Sequence, residues 1–137
     1  MTKSYRAVSV TVALCAALAL FAPLAAQTKT ASQFYMDYRV AFDKATKIDD
    51  VLPYMSKQRA DQVAATPADE RAKMFEMIKM MGTLTEVKVL KEAKSADGAT
   101  LTVEALDPDK KKTTGTIKVI KEGGAWKLDG ESWSSSS

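Results

Sequence analysis

The sequence contains no histidine and a single cysteine, Cys15, which lies near its start. Without histidine there can be no Ser/His or Cys/His nucleophile pair, no histidine-based zinc site and no imidazole base that titrates near neutral pH. The chain after Cys15 has no cysteine, so no disulfide can form within it. A domain built from the rest of the chain must depend on its hydrophobic core, and carboxylates and tyrosines remain as candidate acid–base groups.

Residues 1–26 have the three parts of a secretory signal peptide. Two basic residues, Lys3 and Arg6, precede an apolar run that ends in small residues. We expect cleavage between Ala26 and Gln27. The alternative is an uncleaved anchor, but the run is short against the roughly 20 apolar residues that span a bilayer. The product is therefore expected to be periplasmic or secreted, with no membrane anchor after cleavage.

The net charge gives little indication of a polyanionic partner. The whole sequence has a formal net charge of +3, and Lys3 and Arg6 of the signal peptide contribute most of it. The basic run 110–112 follows a turn and is expected to be the solvated tip of a hairpin. A nearly neutral mature chain does not indicate nucleic acid as a partner.

The first half of the mature chain has the periodicity of helices. Ser32 is expected to cap a first helix, in which aromatic and small residues recur every three or four positions. A short second helix is expected over 48–55, followed by a further turn over 57–63. Thr66 begins a cap, proline and acid pattern that predicts a third helix ending at Gly82.

From Thr83 onward the hydrophobic period changes to two, which predicts an antiparallel meander. Helices followed by such a meander predict an α+β domain, with the helices packed on one face of a curved antiparallel sheet. One domain is expected over 27–133, and a flexible serine-rich tail over 134–137. The expected strands cover 85–90, 99–106, 114–121 and 125–128, and 130–133 is expected to end the ordered part.

Two carboxylate pairs are candidates for acid–base chemistry. Asp49 and Asp50 lie at a predicted helix start, where negative charge is favourable. Asp107 and Asp109 flank the proline of a predicted turn. Both pairs are interpreted as structural, because helix ends and turns account for them.

Methionine offers the most distinctive pattern, since Met74, Met77 and Met81 share one face of the third helix. Thioethers are soft ligands that could hold Cu(I) in an exported protein. Methionine also fills irregular core space or lines an adaptable apolar pocket. We favour packing or a pocket, because Phe75 and Ile78 interleave and no histidine or cysteine joins the set. No metal or cofactor is expected.

Three segments, 34–42, 48–56 and 117–128, resemble the nuclear transport factor 2-like superfamily, whose cone-shaped α+β fold is shared with cystatin-like proteins. The last segment is similar to the strand, Gly-rich turn and Trp-Lys-aliphatic ending of small exported bacterial members of unknown function. The resemblance covers about 30–133 and implies a pocket between the curled sheet and the first helices. The pocket wall that it implies consists of Tyr35, Tyr38, Met74, Met77, Met81 and Trp126.

No catalytic motif of the enzymes in that superfamily matches this sequence. We therefore expect an exported non-enzymatic binding or interaction domain, which takes a small hydrophobic ligand in an apolar pocket or forms a homodimer through its sheet. The first alternative is a small acid–base enzyme of the isomerase or dehydratase kind, which would use a pocket carboxylate or tyrosine. The second is a methionine-based Cu(I) protein.

Overall fold

A computed structural model describes residues 29–81 and 83–135. The expected signal peptide and its cleavage site, as well as Gly82, lie outside the described residues. Three α-helices and one 3₁₀ helix pack on a four-stranded antiparallel sheet, which confirms the α+β prediction. The elements are α1 (Ala31–Lys44), the 3₁₀ helix (Ile48–Tyr54), α2 (Lys57–Ala65), α3 (Ala68–Met81), β1 (Thr85–Lys94), β2 (Gly98–Leu106), β3 (Lys112–Glu122) and β4 (Ala125–Ser135). Among the described helices, none has the length and apolar character needed to cross a membrane.

Helix α1 is capped by Thr30, so the prediction of Ser32 as the cap is wrong. Thr30 Oγ1 accepts a hydrogen bond from the Gln33 amide at 3.1 Å, and Gln33 Oε1 accepts one from the Thr30 amide at 3.0 Å. This reciprocal pair is a capping box that satisfies two free amides. Ser32 lies inside the first turn instead, where its amide and hydroxyl both donate to Glu92 of β1. That contact ties the start of α1 to the sheet.

The segment expected to be a short helix over 48–55 is the 3₁₀ helix. Its start is fixed by Asp50, whose carboxylate accepts from the amides of Thr46 at 2.9 Å and Lys47 at 3.2 Å. These hydrogen bonds stabilise the anion and lower the pKa of Asp50. Asp49 forms an ion pair with Arg71 of α3 at 3.2 Å. Both aspartates therefore have the structural roles that their position at a helix start indicates.

The sheet has the order β1-β2-β3-β4, with each strand antiparallel to its neighbour. The expectation of a flexible tail from residue 134 is wrong for Ser134 and Ser135, which belong to β4. They pair with Thr114 and Thr113 of β3. Strand β3 extends far enough to offer these backbone partners, so the ladder continues through the serines despite their composition.

The core lies between the inner face of the sheet and the helices. Alternate residues of β2 and β3 point inward, as the period of two predicts. Leu128 also connects the sheet to the loop after the 3₁₀ helix, because its carbonyl accepts from the Ser56 amide at 2.8 Å. The largest apolar and aromatic side chains with no exposed surface are Tyr35, Val51, Leu101, Val103, Ile117, Val119 and Leu128.

Candidate functional site

A cleft of about 1010 Å³ opens between the helices and one end of the sheet. At this end β4 finishes, β3 begins and β2 leads into its turn. The helices supply an apolar wall that includes Phe42, Ile48, Met55, Val63, Met74 and Ile78. The polar side of the lining includes Arg39 and Arg59 from the helices and Asp129, Glu131 and Trp133 from β4.

Glu131 of β4, on the polar side of the cleft, contacts three other side chains. Its Oε1 accepts a hydrogen bond from the Tyr35 hydroxyl at 3.2 Å and one from Trp133 Nε1 at 2.6 Å. The Arg39 guanidinium lies 3.8 Å from the same oxygen. Exposed fractions of 7% for the Arg39 side chain and 15% for that of Glu131 make this a largely buried ion pair, and Arg39 also lies 3.8 Å from the exposed carboxylate of Asp43. A buried charge needs such partners, because its loss of hydration is otherwise very costly.

Trp133 reaches Glu131 because β3 has a glycine beneath its ring. A Cβ atom at Gly115 would lie 2.8 Å from the nearest atom of the Trp133 ring, which is too close for an unshifted side chain. The ring thus lies across β3 at the position where other residues would project a side chain. Gly115 and Trp133 are paired in register, so the sheet itself sets this contact.

Of the two tyrosines of α1, Tyr35 is a hydrogen-bond donor and Tyr38 is a packing group, and neither is suited to act as a base. Burial, followed by the negative charge of Glu131, raises the pKa of Tyr35 and of Tyr38 above their usual range. Both phenols therefore remain protonated at neutral pH. Tyr38 also packs against Phe42, with ring centroids 6.1 Å apart.

Asp129, two residues before Glu131, is held by groups from two other elements. Its Oδ1 accepts from the Ser56 hydroxyl at 2.8 Å, and its Oδ2 lies 3.2 Å from Lys118 Nζ. The Ser56 hydrogen bond is the main cause of a lowered Asp129 pKa, and the positive charges of Lys118 and Arg59 add to it. Asp129 is consequently a stable anion that links β4 to the start of α2.

Replacement of Asp129 by asparagine is expected to make the free energy of unfolding less dependent on pH in the acid range. Because folding lowers its pKa below the ordinary 3.8, the ionised group stabilises the fold above that pH, and the contribution disappears as pH falls through the lower folded value. Urea unfolding of wild type and Asp129→Asn from neutral pH downward measures this. The two stabilities should begin to approach each other as the pH falls below about 4 and should meet only below the lower folded pKa. Asp61→Asn, an exposed change, is the control, and curves that stay parallel for Asp129→Asn would contradict the assignment.

The structure brings together only part of the predicted pocket wall. Tyr38 and Met74 line the cleft, whereas Tyr35 lies behind it and reaches it through Glu131. Met77 is 51% exposed and does not line the cleft, because α3 turns Phe75 toward the core.

Trp126 does not line the cleft either, since it lies at the opposite end of β4. Its Nε1 donates to the Lys29 carbonyl at 2.7 Å, and Lys121 Nζ lies 4.9 Å from its ring centroid. The Met81 side chain is not among the described parts of the chain. Over residues 29–81 and 83–135, no group of three His, Cys, Asp or Glu side chains is placed to hold a metal ion.

Sequence reasoning missed Arg39 and Glu131, the central pair of the site. Arg39 carried a signal, because it stands four residues after Tyr35 on the face of α1 that is otherwise aromatic. The sequence around Glu131 has almost no pattern that would identify it as a site residue. Lys118 of β3 pairs with Gly130 and Val119 pairs with Leu128, so β4 has one extra residue at this point. This bulge determines which of the later β4 side chains face inward.

The fold and the site define this chain as an α+β domain with an amphipathic cleft between its helices and its sheet. The sequence profile of the family described as "Domain of unknown function (DUF4878)" matches residues 30–129. The chain belongs to this family. The match includes Arg39, Arg59 and Asp129 and ends two residues before Glu131. Searches among curated proteins and among solved structures found no match.

Proposed function

We propose that this chain is an exported, non-enzymatic binding domain of nuclear transport factor 2-like type, and that its cleft holds a small amphipathic ligand. The observation that carries the proposal is the cleft itself, which joins an apolar helical wall to a buried Arg39–Glu131 pair. Ligand sites are commonly concave and mostly apolar, with a few fixed polar groups that orient the ligand.

Export is supported by the signal-peptide pattern of residues 1–26, which leaves a mature chain without cysteine. The superfamily assignment is supported by the element order and by the position of the cleft between the first helices and the sheet. Bulges in β1 and β4 support a bent sheet, because a bulge bends the strand that contains it.

Binding is preferred over acid–base catalysis because the candidate groups are engaged in structural contacts. Glu131 Oε1 already accepts from Tyr35 and Trp133, and it has Arg39 beside it. Burial keeps the Tyr35 and Tyr38 hydroxyls protonated, so neither is suited to remove a proton from a substrate.

The test compares thermal unfolding with and without octanol or dodecanol, as apolar chains with a small polar head. A ligand that binds only the folded state raises stability by mass action, by about 2.7 kcal/mol at a hundred times its dissociation constant. Met74→Lys puts a charge into the cleft, while Met77→Lys makes the same change on the exposed side of α3. We expect both alcohols to raise the Tm of wild type and of Met77→Lys, but not that of Met74→Lys.

The binding proposal is refuted if neither alcohol raises the Tm of wild type, or if Met74→Lys responds as Met77→Lys does. The homodimer expected from the sequence is addressed by the same scans without ligand. A dimer would show a Tm that falls on dilution, and sedimentation would show the matching change in mass. A Tm and a mass independent of concentration would exclude it.

A further inference from the structure

The acidic groups around the cleft already have partners. Glu131 lies beside Arg39, and Asp129 lies beside Lys118 and accepts from Ser56. Asp107, at the turn after β2, accepts hydrogen bonds from the amides of residues 109 and 111, both at 2.9 Å. None of these carboxylates needs a ligand to offset its charge.

Arg59 differs from the acidic groups that surround it. It lies in the first turn of α2, where its amide is held by the Ser56 hydroxyl, and its partly buried side chain lines the cleft. Its guanidinium forms no ion pair within 4.0 Å among residues 29–81 and 83–135, in contrast to that of Arg71, which pairs with Asp49. Arg59 contributes to the lowered pKa of Asp129 from a greater distance, but the nearest cation to Asp129 is Lys118.

The surroundings of Arg59 suit an anion with an apolar body. Val63 stands one turn further along α2 and also lines the cleft, and Met74 and Ile78 of α3 continue the apolar wall. A guanidinium binds a carboxylate through two parallel hydrogen bonds, which fixes its orientation as well as its charge. Because Arg59 is partly buried, such a pair is stronger there than it would be in water.

We propose that the ligand of the cleft is an amphipathic carboxylate, whose anionic head pairs with Arg59 and whose apolar part lies against Val63, Met74 and Ile78. This inference depends on the binding function proposed above and adds the chemical class of the ligand. A fatty acid or an aryl-alkyl carboxylate has the required chemistry.

The experiment is calorimetric titration of the mature chain with octanoate, octanol and octylammonium, which share one alkyl chain and differ in head group. We expect wild type to bind octanoate about tenfold more tightly than octanol, or better, as one hydrogen-bonded charge contact allows. Octylammonium should be the weakest. Arg59→Met should lose the preference for the anionic head group and bind octanoate and octanol with similar affinities. Lys57→Met removes a positive charge from the exposed side of the same helix and should keep the wild-type preference.

The head-group comparison on wild type stands even if a variant folds poorly, and Arg59→Lys, which keeps the charge, should retain part of the preference. Equal binding of octanoate and octanol by wild type, or tighter binding of octylammonium, overturns the carboxylate inference and leaves the binding function intact. If Lys57→Met loses the preference for octanoate over octanol to the same extent as Arg59→Met, the role of Arg59 is overturned. Failure of all three probes to bind wild type removes the binding function, and the inference with it.

Discussion

Replacement of Arg39 by methionine is expected to lower the free energy of unfolding by about 3–5 kcal/mol. The guanidinium is almost fully buried, lies 3.8 Å from Glu131 and stands 5.2 Å from the centre of the Phe42 ring. Methionine retains much of the apolar volume, so the main loss is electrostatic. The Glu131 carboxylate would remain in a buried position without its cation, which is the costly outcome of breaking a buried ion pair.

Urea unfolding of Arg39→Met, Glu131→Gln and the double variant measures the coupling between the two residues. The double variant should be more stable than the sum of the single losses predicts, because it leaves no buried charge without its partner. Arg71→Met is the matched control: its pair with Asp49 is more exposed and should be worth about 1 kcal/mol or less. Equal losses for Arg39→Met and Arg71→Met, or strict additivity in the cycle, would contradict the buried-pair interpretation.

The fold could be predicted from the sequence where a local pattern decides the outcome. The change from a helical period to a period of two marks the boundary near residue 83, and the alternation in 99–106 identifies the buried face of β2. The ends of elements were less predictable, because they depend on distant partners. Ser134 and Ser135 belong to β4 because β3 extends beside them and pairs with them. Thr30 caps α1 because Gln33 completes the capping box.

The candidate site was harder to predict than the fold, since its parts come from elements that are distant in the sequence. Tyr38 and Met74 could be proposed as pocket residues because the superfamily resemblance implied a pocket against the first helices. Glu131 meets Arg39 only through the register of β4 on β3, and a single bulge changes which side chains face inward. Arg59 can be recognised as a candidate anion-binding residue only when the partners of the nearby carboxylates Asp129 and Glu131 are known.

Phe75 is the buried apolar contact between α3 and the core, so Phe75→Ala is expected to release α3 while the sheet remains folded. Phe75 is 4% exposed, and it is the only fully buried side chain among the described residues of α3. Its ring meets Phe42 edge to face at 5.9 Å, and Lys79 donates to the Phe42 carbonyl beside it. Truncation of a buried phenylalanine to alanine costs about 3–5 kcal/mol. The other side-chain contacts of α3 are polar or only partly buried, so this cost should appear as local opening.

Hydrogen exchange measures this opening, because it reports the protection of individual backbone amides. In Phe75→Ala the amides of α3 should exchange as fast as those of an exposed helix, while amides of β2 and β3 keep most of their protection. Octanol binding should weaken at the same time, since Met74 and Ile78 leave the cleft wall with α3. Met77→Ala, an exposed change on the same helix, should alter stability by no more than about 0.5 kcal/mol. Unchanged protection of α3, or an equal loss in β2 and β3, would show that Phe75 does not hold this helix independently of the sheet.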